Sequence, residues 1–504
     1  MNITKRIIEV ILCIGMVLIS LQIGKTQKDI QIKSIFDGDS SVVLWYTDDT
    51  MTDYLNAMAV AYHDQYNVRV LPRLQSGDEY LESINRASLA QEEVPDLYII
   101  SSEALEKAYL SGLASNIEDT NESVSDRNFS PAALNAVTYK GHLAAYPYYF
   151  ETSALLYNKT YLYDMAKNQI EAEESGTEEA EDGGEIVIQD ETREDTTTEA
   201  TTEEALSKEE QIDRRMNEFI PNTFDELLTF ADDYDAPQAV EAVFKWDVSD
   251  IFYNYFFIGN YADVGGVCGD NKDEIDIYNL DTIKAMQVYQ DLNQFFSIDA
   301  DDVAYDSVIQ EFMEGKLVFT TATTDIISKL EEAKNNEEFT FDYGIAEIPD
   351  LNNELKSKSL SVTNSIVVNG YSDKKENANR FARYLICDNA NSLYEKTGKI
   401  AANKNVTYEN PNISVFQSEY SDSVPMPKMM ATSNYWIQLE ITFSRVWSGA
   451  DVSGELQKLS ELILTQISGE QVSEEYIKDP EQEEATIEYL DEEAAKEAAK
   501  QEEE

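Results

Sequence analysis

An α/β fold with largely parallel sheets and two or more domains is predicted from three observations. The chain of 504 residues exceeds the size at which a single hydrophobic core keeps growing. Hydrophobic residues make up 42% of it, which is enough for real cores. From residue 41 onward, short apolar strands alternate with helices, the order typical of α/β proteins.

The predicted elements follow one another closely from residue 41 to residue 100. A strand at Ser41–Tyr46 ends in Thr47–Thr50, whose polar side chains can cap the next helix, Met51–Tyr66. Further strands are predicted at Val68–Leu71 and Val94–Ile100, with an acidic helix between them. The later predicted elements are a helix capped by Thr223, helices at 280–295 and 306–312, strands at 317–321, 343–349 and 365–368, and helices up to about 468.

The first 28 residues are predicted to be a signal anchor or a signal peptide. Lys5 and Arg6 precede an apolar run of 17 residues, Ile7–Ile23, which is near the lower limit for a membrane-spanning helix. Positive residues before such a run orient the following chain outward. No small-residue cleavage site follows, and Leu12 precedes Cys13 where a lipoprotein needs a small residue. We therefore expect an uncleaved anchor at 1–28 and a location on the extracytoplasmic face of the cell membrane.

Two acidic tracts interrupt and end this pattern. Residues 171–210 hold 17 Asp or Glu against only Arg193 and Lys208. Such a composition buries too little apolar surface to offset the entropy of ordering, so residues 168–214 are predicted to be a disordered insertion. The tail, 471–504, is acidic and lacks an apolar stripe, so it is not expected to pack.

Charge and the few cysteines and histidines exclude several classes of function. The net charge of −59 argues against nucleic acid as a partner, because phosphates require clustered Lys and Arg, and it favours a solvated monomer. The cysteines are Cys13, Cys268 and Cys387, and the histidines are His63 and His142. These residues provide neither a disulfide framework nor the spacing of a zinc site, so no metal and no cofactor are expected. Whether Cys268 and Cys387 pair stays open.

Short motifs occur in a fixed order along residues 41–470. They are Trp45–Asp49, Val94–Tyr98, Ser111–Leu113, Tyr139–Pro147 continuing to Glu151 and Tyr157–Lys159, Phe312–Lys316, Tyr343–Ile345, and Met426–Pro427 ten residues before Trp436. Each motif alone is a weak signal, and Tyr139–Pro147 is the most specific. As an ordered set they resemble the family 1 extracellular solute-binding proteins, and within that family the maltose-binding proteins.

This resemblance implies a type II periplasmic-binding-protein-like clamp, in which two α/β lobes close on a ligand by hinge motion. Lobe 1 is expected at 39–150 with about 350–399, and lobe 2 at 154–345 with about 400–470, interrupted by the insertion. The resemblance also implies the substrate-binding component of an ABC importer, with permease subunits as partners and a carbohydrate as ligand. Enzymatic activity is not expected.

The candidate ligand-binding residues mostly follow predicted strands, because the ligand crevice of an α/β sheet lies beyond the carboxyl ends of its strands. Carboxylates there accept hydrogen bonds from sugar hydroxyls, and aromatic rings cover the apolar face of a sugar. The resemblance places Glu151, Asp49 and Trp436 on ligand-contacting positions of the family. The full set of candidates is Asp48, Asp49, Ser102, Glu103, Glu151, Trp246, Asp247, Tyr253, Thr324 and Trp436.

Structural roles compete with ligand contact at several of these positions. Asp48 and Asp49 serve equally well as helix caps. Trp436 could be a core residue on an amphipathic helix, and Glu151 could be a solvated side chain.

The predicted cleft also departs from that of maltose-binding proteins. Ile100 and Asp325 stand where those proteins carry Trp, Thr50 stands where they carry Lys, and Glu103-Ala104 replaces an Asp-Arg pair. Two aromatic platforms and two cations are lost, so another oligosaccharide, a smaller sugar, an amine-bearing ligand or a non-sugar solute stays open. A sensor or surface-binding module without transport is an alternative, and so is a glycosidase, which needs two acids about 5–10 Å apart.

Overall fold

The computed structural model describes residues 41–117, 122–181, 207–300 and 302–478, and it confirms the α/β class. The strands are β1 (Val42–Tyr46), β2 (Val70–Leu74), β3 (Leu97–Ser101), β4 (Thr138–Tyr139), β5 (His142–Leu143), β6 (Tyr146–Asn158), β7 (Ala242–Phe244), β8 (Asp263–Val264), β9 (Ile275–Asp276), β10 (Leu317–Thr323), β11 (Tyr343–Ala346), β12 (Leu360–Val368), β13 (Ile400–Ala401) and β14 (Val424–Pro425). The α-helices are α1 (Thr52–Tyr66), α2 (Tyr80–Ala90), α3 (Leu105–Leu110), α4 (Pro131–Val137), α5 (Lys159–Glu181), α6 (Lys208–Asn217), α7 (Phe224–Asp233), α8 (Leu280–Phe296), α9 (Tyr305–Met313), α10 (Ile326–Asn335), α11 (Lys375–Arg383), α12 (Leu393–Thr397), α13 (Pro411–Asp422), α14 (Tyr435–Trp447) and α15 (Val452–Ser468).

The first sheet has the strand order β2-β1-β3-β12-β6. β1 pairs in parallel with β2 and with β3, and helices α1 and α2 supply the crossovers that parallel pairs require. β12 pairs antiparallel with both β3 and β6, so a strand from much later in the chain lies between them. Val42 and Leu44 of β1 are fully buried, as expected for the apolar strand predicted here.

Strand β6 has 13 residues and joins this sheet to a second one. Its first part, up to Thr152, pairs with β12 and β13. Its second part, from Ser153, pairs antiparallel with β10 and β11, and β10 pairs in parallel with β7. A single continuous strand therefore passes from one sheet into the other.

Aromatic side chains fill the core beside β7. Phe244 stacks on Trp246 with 4.8 Å between the ring centroids, and Trp447 of α14 meets Trp246 edge-on at 5.5 Å. The indole N–H of Trp246 donates to Asn254 Oδ1 at 2.8 Å, so its polar group is satisfied although the residue is fully buried. Each such aromatic pair contributes about 0.5–1.5 kcal/mol beyond its buried area.

Strands β13 and β14 pair with the first sheet, although residues 400–470 were assigned to lobe 2. Ile400 lies opposite Phe150 of β6, and Val424 lies opposite Leu360 of β12. Helices α14 and α15 instead pack against α8 and against each other. The exact division of the chain into lobes stays a prediction.

Part of the segment predicted to be disordered, 168–214, is helical, so that prediction is wrong at both ends of the segment. α5 continues to Glu181, and α6 occupies most of the far end of the segment. Ile170 of α5 and Ile212 of α6 are both buried. Ion pairs join the helices, among them Lys208–Glu174 at 2.9 Å and Arg215–Glu173 at 3.1 Å. Amino-acid composition does not predict such a pair of packed helices. A few apolar residues at helical spacing are enough to form a buried face once a neighbouring helix covers them. Residues 182–206 lie outside the described residues.

The start of the acidic tail, 471–504, is bound to the fold, contrary to expectation. The Ile477 N–H donates to the Tyr278 hydroxyl at 2.7 Å, and the Ile477 carbonyl accepts from Ser453 Oγ at 2.6 Å. Backbone groups of Ile477 make both contacts, so the pattern of apolar residues in the sequence does not predict them. The rest of the tail, 479–504, lies outside the described residues.

Two further expectations concern the N-terminus and the cysteines. The predicted anchor at 1–28 lies outside the described residues, and among those described no helix combines the length and apolar character that a membrane crossing needs. No disulfide joins Cys268 to Cys387. Within the described ranges, no cluster of three or more His, Cys, Asp or Glu is placed to hold a metal ion.

Candidate functional site

Two neighbouring cavities open beyond the carboxyl ends of strands in the two sheets. The first, about 450 Å³, follows β1 and β3; we call it the Tyr149 cavity, and its lining includes Tyr46, Asp48, Tyr80, Ser101, Lys107 and Tyr149. The second, about 520 Å³, follows β10; we call it the Tyr305 cavity, and its lining includes Glu151, Asp250, Tyr253, Tyr305, Thr324, Asp325 and Lys399. Asp48 of the first and Lys399 of the second form an ion pair at 3.0 Å. The two cavities together are the candidate cleft.

Asp48 is placed by the turn that follows β1. Its Oδ1 accepts hydrogen bonds from the Thr50 N–H at 3.0 Å and from Thr50 Oγ1 at 2.6 Å, which caps the short 3₁₀ turn there. Its other oxygen pairs with Lys399. Burial acts to raise the pKa of Asp48, but the hydrogen bonds from Thr50 and Lys399 and the Lys399 charge together hold it below its usual value. The cap and the ligand role proposed from sequence are thus compatible at this residue.

Lys399 reaches the cleft because of the turn that precedes it. α12 ends at Thr397 and is capped by Gly398, whose φ of +71° is the left-handed conformation that favours glycine. A Cβ at this position would also lie 2.7 Å from Ser328 Oγ, so a larger residue would not fit without displacement. The Lys399 ammonium lies 5.5 Å from the centre of the Tyr149 ring. It is thus held between a carboxylate and an aromatic face.

Glu151 lies on β6 just before the strand passes into the second sheet. It lines the Tyr305 cavity, where its partner across the first sheet, Val362, lies beside it. Burial raises the pKa of Glu151; the Lys399 charge opposes this, and the charges of Asp325 and Asp48 add to it. One ammonium and two carboxylates therefore act on the charge of Glu151 at the centre of the cleft.

Tyr253 and Tyr305 form one wall of the Tyr305 cavity. Their rings stack with 4.6 Å between centroids and 12° between planes. The Tyr305 hydroxyl lies 3.0 Å from Thr323 Oγ1 and accepts the Thr323 N–H at 3.2 Å. These hydrogen bonds fix the ring at the end of β10.

Asp247 positions this wall from behind. The carboxylate is almost fully buried and accepts from the Tyr305 N–H at 2.8 Å and the Ser249 N–H at 2.9 Å. It ties the loop carrying Tyr253 to the start of α9. Asp247 does not itself line the cleft.

Four of the ten residues predicted from sequence line the cleft: Asp48, Glu151, Tyr253 and Thr324. The structure places the other six elsewhere. Asp49 is exposed in the turn after β1, and Ser102 is fully buried beneath the end of β3. Glu103 accepts a hydrogen bond from Ser101 Oγ at 3.1 Å on the exposed side.

The two candidate tryptophans are placed differently from each other. Trp246 is a core residue, and its burial among Phe244 and Trp447 leaves no surface for a ligand. Trp436 is half-buried against Tyr255 and does not line either cavity. It lies one helical turn before Glu440, whose pKa is raised by burial and by the charge of Asp250. Trp436 is therefore close to the cleft but outside its lining.

Lys399, Tyr305 and Tyr149 are cleft residues that the candidate set lacks. Gly398 could have been recognised as the end of a helix, but nothing in the sequence shows that the next residue meets Asp48. Tyr305 is the first residue of a helix and carries no motif. The high tyrosine content, 30 residues, is the one feature of the sequence that indicates further aromatic residues in the cleft.

Comparison with known proteins agrees with this architecture. Residues 57–414 match the family model described as bacterial extracellular solute-binding protein. The maltodextrin-binding protein MdxE of Bacillus subtilis (strain 168) is 24% identical over 244 residues, which are 46% of this chain and 56% of that protein. The chain thus matches only a little over half the length of this relative.

Solved structures share the fold at low sequence identity. An extracellular solute-binding protein from Staphylococcus aureus in complex with maltose has a TM-score of 0.66 at 18% identity, covering 86% of this chain and 99% of that one. A cyclo/maltodextrin-binding protein complexed with maltotetraose has a TM-score of 0.65 at 18% identity, covering 88% and 100%. These likenesses show the two-lobed α/β fold of solute-binding proteins. The family predicted from the ordered motifs is therefore confirmed: the chain belongs to the bacterial extracellular solute-binding proteins.

Proposed function

We propose that the protein captures a saccharide in the cleft and delivers it to an ABC importer. The observation that carries this proposal is the lining of the Tyr305 cavity, where the stacked Tyr253–Tyr305 pair faces the same space as Glu151, Thr324 and Asp325. A flat aromatic wall with a few convergent polar groups suits a sugar ring, which is apolar on its faces and hydroxylated at its edge. The maltose and maltotetraose held by the structural neighbours support the same class of ligand.

The proposal includes closure of two lobes around the ligand. Its support is β6, which runs through both sheets and carries Glu151 next to the change of partners. A few residues in such a crossing can absorb a hinge rotation without breaking either sheet. We keep lobe 1 at 39–150 with about 350–399 and lobe 2 at 154–345 with about 400–470 as the proposed moving units, with β13 and β14 beside the first sheet.

Binding without catalysis is part of the proposal. The family and the fold are those of binding proteins rather than enzymes. The carboxylates of the cleft therefore serve as hydrogen-bond acceptors. Attachment to the membrane through 1–28 and docking to permease subunits stay proposals of the same account.

Thermal unfolding with a panel of mono- and oligosaccharides tests the proposal. A ligand at a hundredfold excess over its Kd stabilises the folded state by about 2.7 kcal/mol, so at least one saccharide should raise the Tm. Glu151→Ala should lose that response while still unfolding cooperatively. A well-folded protein that responds to no saccharide in the panel contradicts the proposal, and release of a cleaved product from a glycan contradicts binding without catalysis.

A further inference from the structure

Negative charge in the Tyr305 cavity exceeds what the protein's own cations compensate. Four carboxylates line it, those of Glu151, Asp250, Asp306 and Asp325. Asp306 pairs with Lys329 at 3.2 Å. The one ammonium in the lining, Lys399, pairs with Asp48 of the neighbouring cavity. In the described part of the chain, Glu151, Asp250 and Asp325 form no ion pair within 4 Å.

These charges surround the stacked tyrosines. The pKa of the Tyr253 hydroxyl is raised by burial and by Tyr305, and then by the charges of Asp250 and Asp325. The pKa of Tyr305 is likewise raised by burial first and then by Asp325. The charge of Asp325 thus acts on both tyrosines and that of Asp250 on Tyr253, and all four residues line the same cavity.

The boundary between the two cavities shows how this protein accommodates an ammonium. There the Lys399 Nζ is held 5.5 Å from the Tyr149 ring centre and 3.0 Å from Asp48. An aromatic face with a carboxylate beside it is a favourable site for a cation, worth more when water is excluded. Tyr253 and Tyr305 offer the same combination, yet no ammonium or guanidinium of the described residues lies over either ring.

A hydroxyl in the same cavity also lacks a protein partner. Thr324 lines the cavity and is only 5% exposed. Its hydroxyl makes no hydrogen bond to any other residue that the structure describes. A polar group that faces a cavity without a protein partner is satisfied there by water or by a ligand. Thr324 thus adds to the carboxylates a hydroxyl that a polar ligand can use.

We propose that the ligand of this cleft is an amine-bearing saccharide, whose protonated amine lies against the Tyr253–Tyr305 wall between Asp250 and Asp325. The inference rests on the proposed saccharide-binding function and narrows it. A neutral sugar leaves three unpaired carboxylates partly dehydrated in a closed cleft, which is costly. A protonated amine compensates them and adds charge-assisted hydrogen bonds and a cation–π contact.

The test compares an amine-bearing oligosaccharide with its acetylated form, which lacks the charge, and with a neutral oligosaccharide. A tetramer of β-1,4-linked glucosamine, its N-acetylated counterpart and maltotetraose are titrated calorimetrically into the full chain at pH 6.5. We expect the glucosamine tetramer to bind at least tenfold more tightly than the acetylated one, and its affinity to fall as salt is added. Equal or tighter binding of the acetylated tetramer or of maltotetraose overturns the inference while leaving saccharide binding intact.

Spermidine, which carries amines but no sugar, is titrated in the same way. Its binding separates the proposal of an amine-bearing ligand from the proposal of saccharide binding. If spermidine binds and no saccharide does, the amine is recognised but the proposed saccharide function fails. If neither spermidine nor any saccharide binds, both proposals are overturned.

Two isosteric variants locate the amine. Asp250→Asn and Asp325→Asn each remove one charge, and each keeps the oxygen that accepts from the Phe252 N–H or the Thr323 hydroxyl. Each should weaken the glucosamine tetramer at least tenfold, with melting temperatures close to wild type. The matched control Glu332→Gln removes a charge from an exposed position of α10 and should change affinity less than twofold. Unchanged affinity in both Asn variants overturns the placement of the amine.

Discussion

The ammonium of Lys399 lies 3.0 Å from the carboxylate of Asp48, and this ion pair joins the two cavities of the cleft. Asp48 follows the first strand of the first sheet, whereas Lys399 lies between α12 and β13. Each residue is about three-quarters buried. The pair therefore connects distant parts of the chain where the two cavities meet, and its two charges act on the pKa of Glu151 in opposite directions.

Lys399→Met should raise the pKa of Glu151 further. The Lys399 charge is the effect that lowers this pKa, and without it burial and the charges of Asp325 and Asp48 act unopposed. The measurement is a carboxyl-carbon NMR titration of Glu151. Lys396→Met, an exposed neighbour on α12, is the control and should leave the titration unchanged. A Glu151 pKa that does not rise in Lys399→Met shows that the ammonium does not govern this site.

Tyr253→Ala should weaken saccharide binding much more than Tyr253→Phe. The ring supplies the stacking face, and aromatic contacts of this kind contribute about 0.5–1.5 kcal/mol beyond their buried area. No hydrogen bond of the Tyr253 hydroxyl is found within the described ranges, so the phenylalanine variant keeps what the ligand uses. Titration calorimetry of the best saccharide measures both variants. Equal affinities for Tyr253→Ala and wild type would contradict a role of the Tyr253–Tyr305 wall in saccharide binding.

The contribution of Glu419 to the free energy of unfolding should fall as the pH rises from about 4.5 to about 7. It accepts from the Ile348 N–H at 2.5 Å and from Ser359 Oγ at 2.8 Å, and burial raises its pKa to about 7. The folded state then binds more protons than the unfolded state within this window, so the contribution of Glu419 to stability is lost as it ionises. At about 1.4 kcal/mol per pKa unit, the effect is on the order of 3 kcal/mol.

Chemical denaturation of Glu419→Gln across that pH range checks this expectation. The variant should gain stability relative to wild type as the pH rises. Glu409→Gln, at an exposed position, is the control and should show the wild-type slope. Parallel stability profiles for Glu419→Gln and wild type would contradict a raised pKa at Glu419.

Ile212→Ala should destabilise the fold by about 2–5 kcal/mol, the range for removing a buried aliphatic side chain. Ile212 is 3% exposed, which is why the acidic helix α6 packs at all. Asp213→Ala changes the adjacent exposed residue and should cost less than about 0.5 kcal/mol. Urea denaturation measures both. Equal stability of the two variants would mean that α6 does not contribute to the fold.

The α/β class and several cleft residues could be predicted, because local signals carry them. Asp48 and Glu151 belong to short motifs beside apolar strands, so both their position and their chemistry are visible in the sequence. The prediction for Trp246 is wrong because its indole lies in the core, whereas the nearby candidate Tyr253 lines the cleft. A sequence shows that an aromatic residue is near a site, but not which way its ring points.

Long-range pairing explains the other failures. Lys399 meets Asp48, and β13 joins the first sheet, through contacts between residues far apart in the chain. Helices α5 and α6 show the same limit, since each is acidic alone and buries its few apolar residues only against neighbouring structure. No local pattern encodes such contacts.

The cleft is tested most directly by a crystal structure of the protein with the saccharide that raises its Tm most. We predict a sugar ring within about 4 Å of the Tyr253 or Tyr305 ring, with Glu151 accepting a hydrogen bond from the ligand. The contradictory result is an empty cleft with the saccharide bound elsewhere, for example in the cavity of about 400 Å³ beside Glu419.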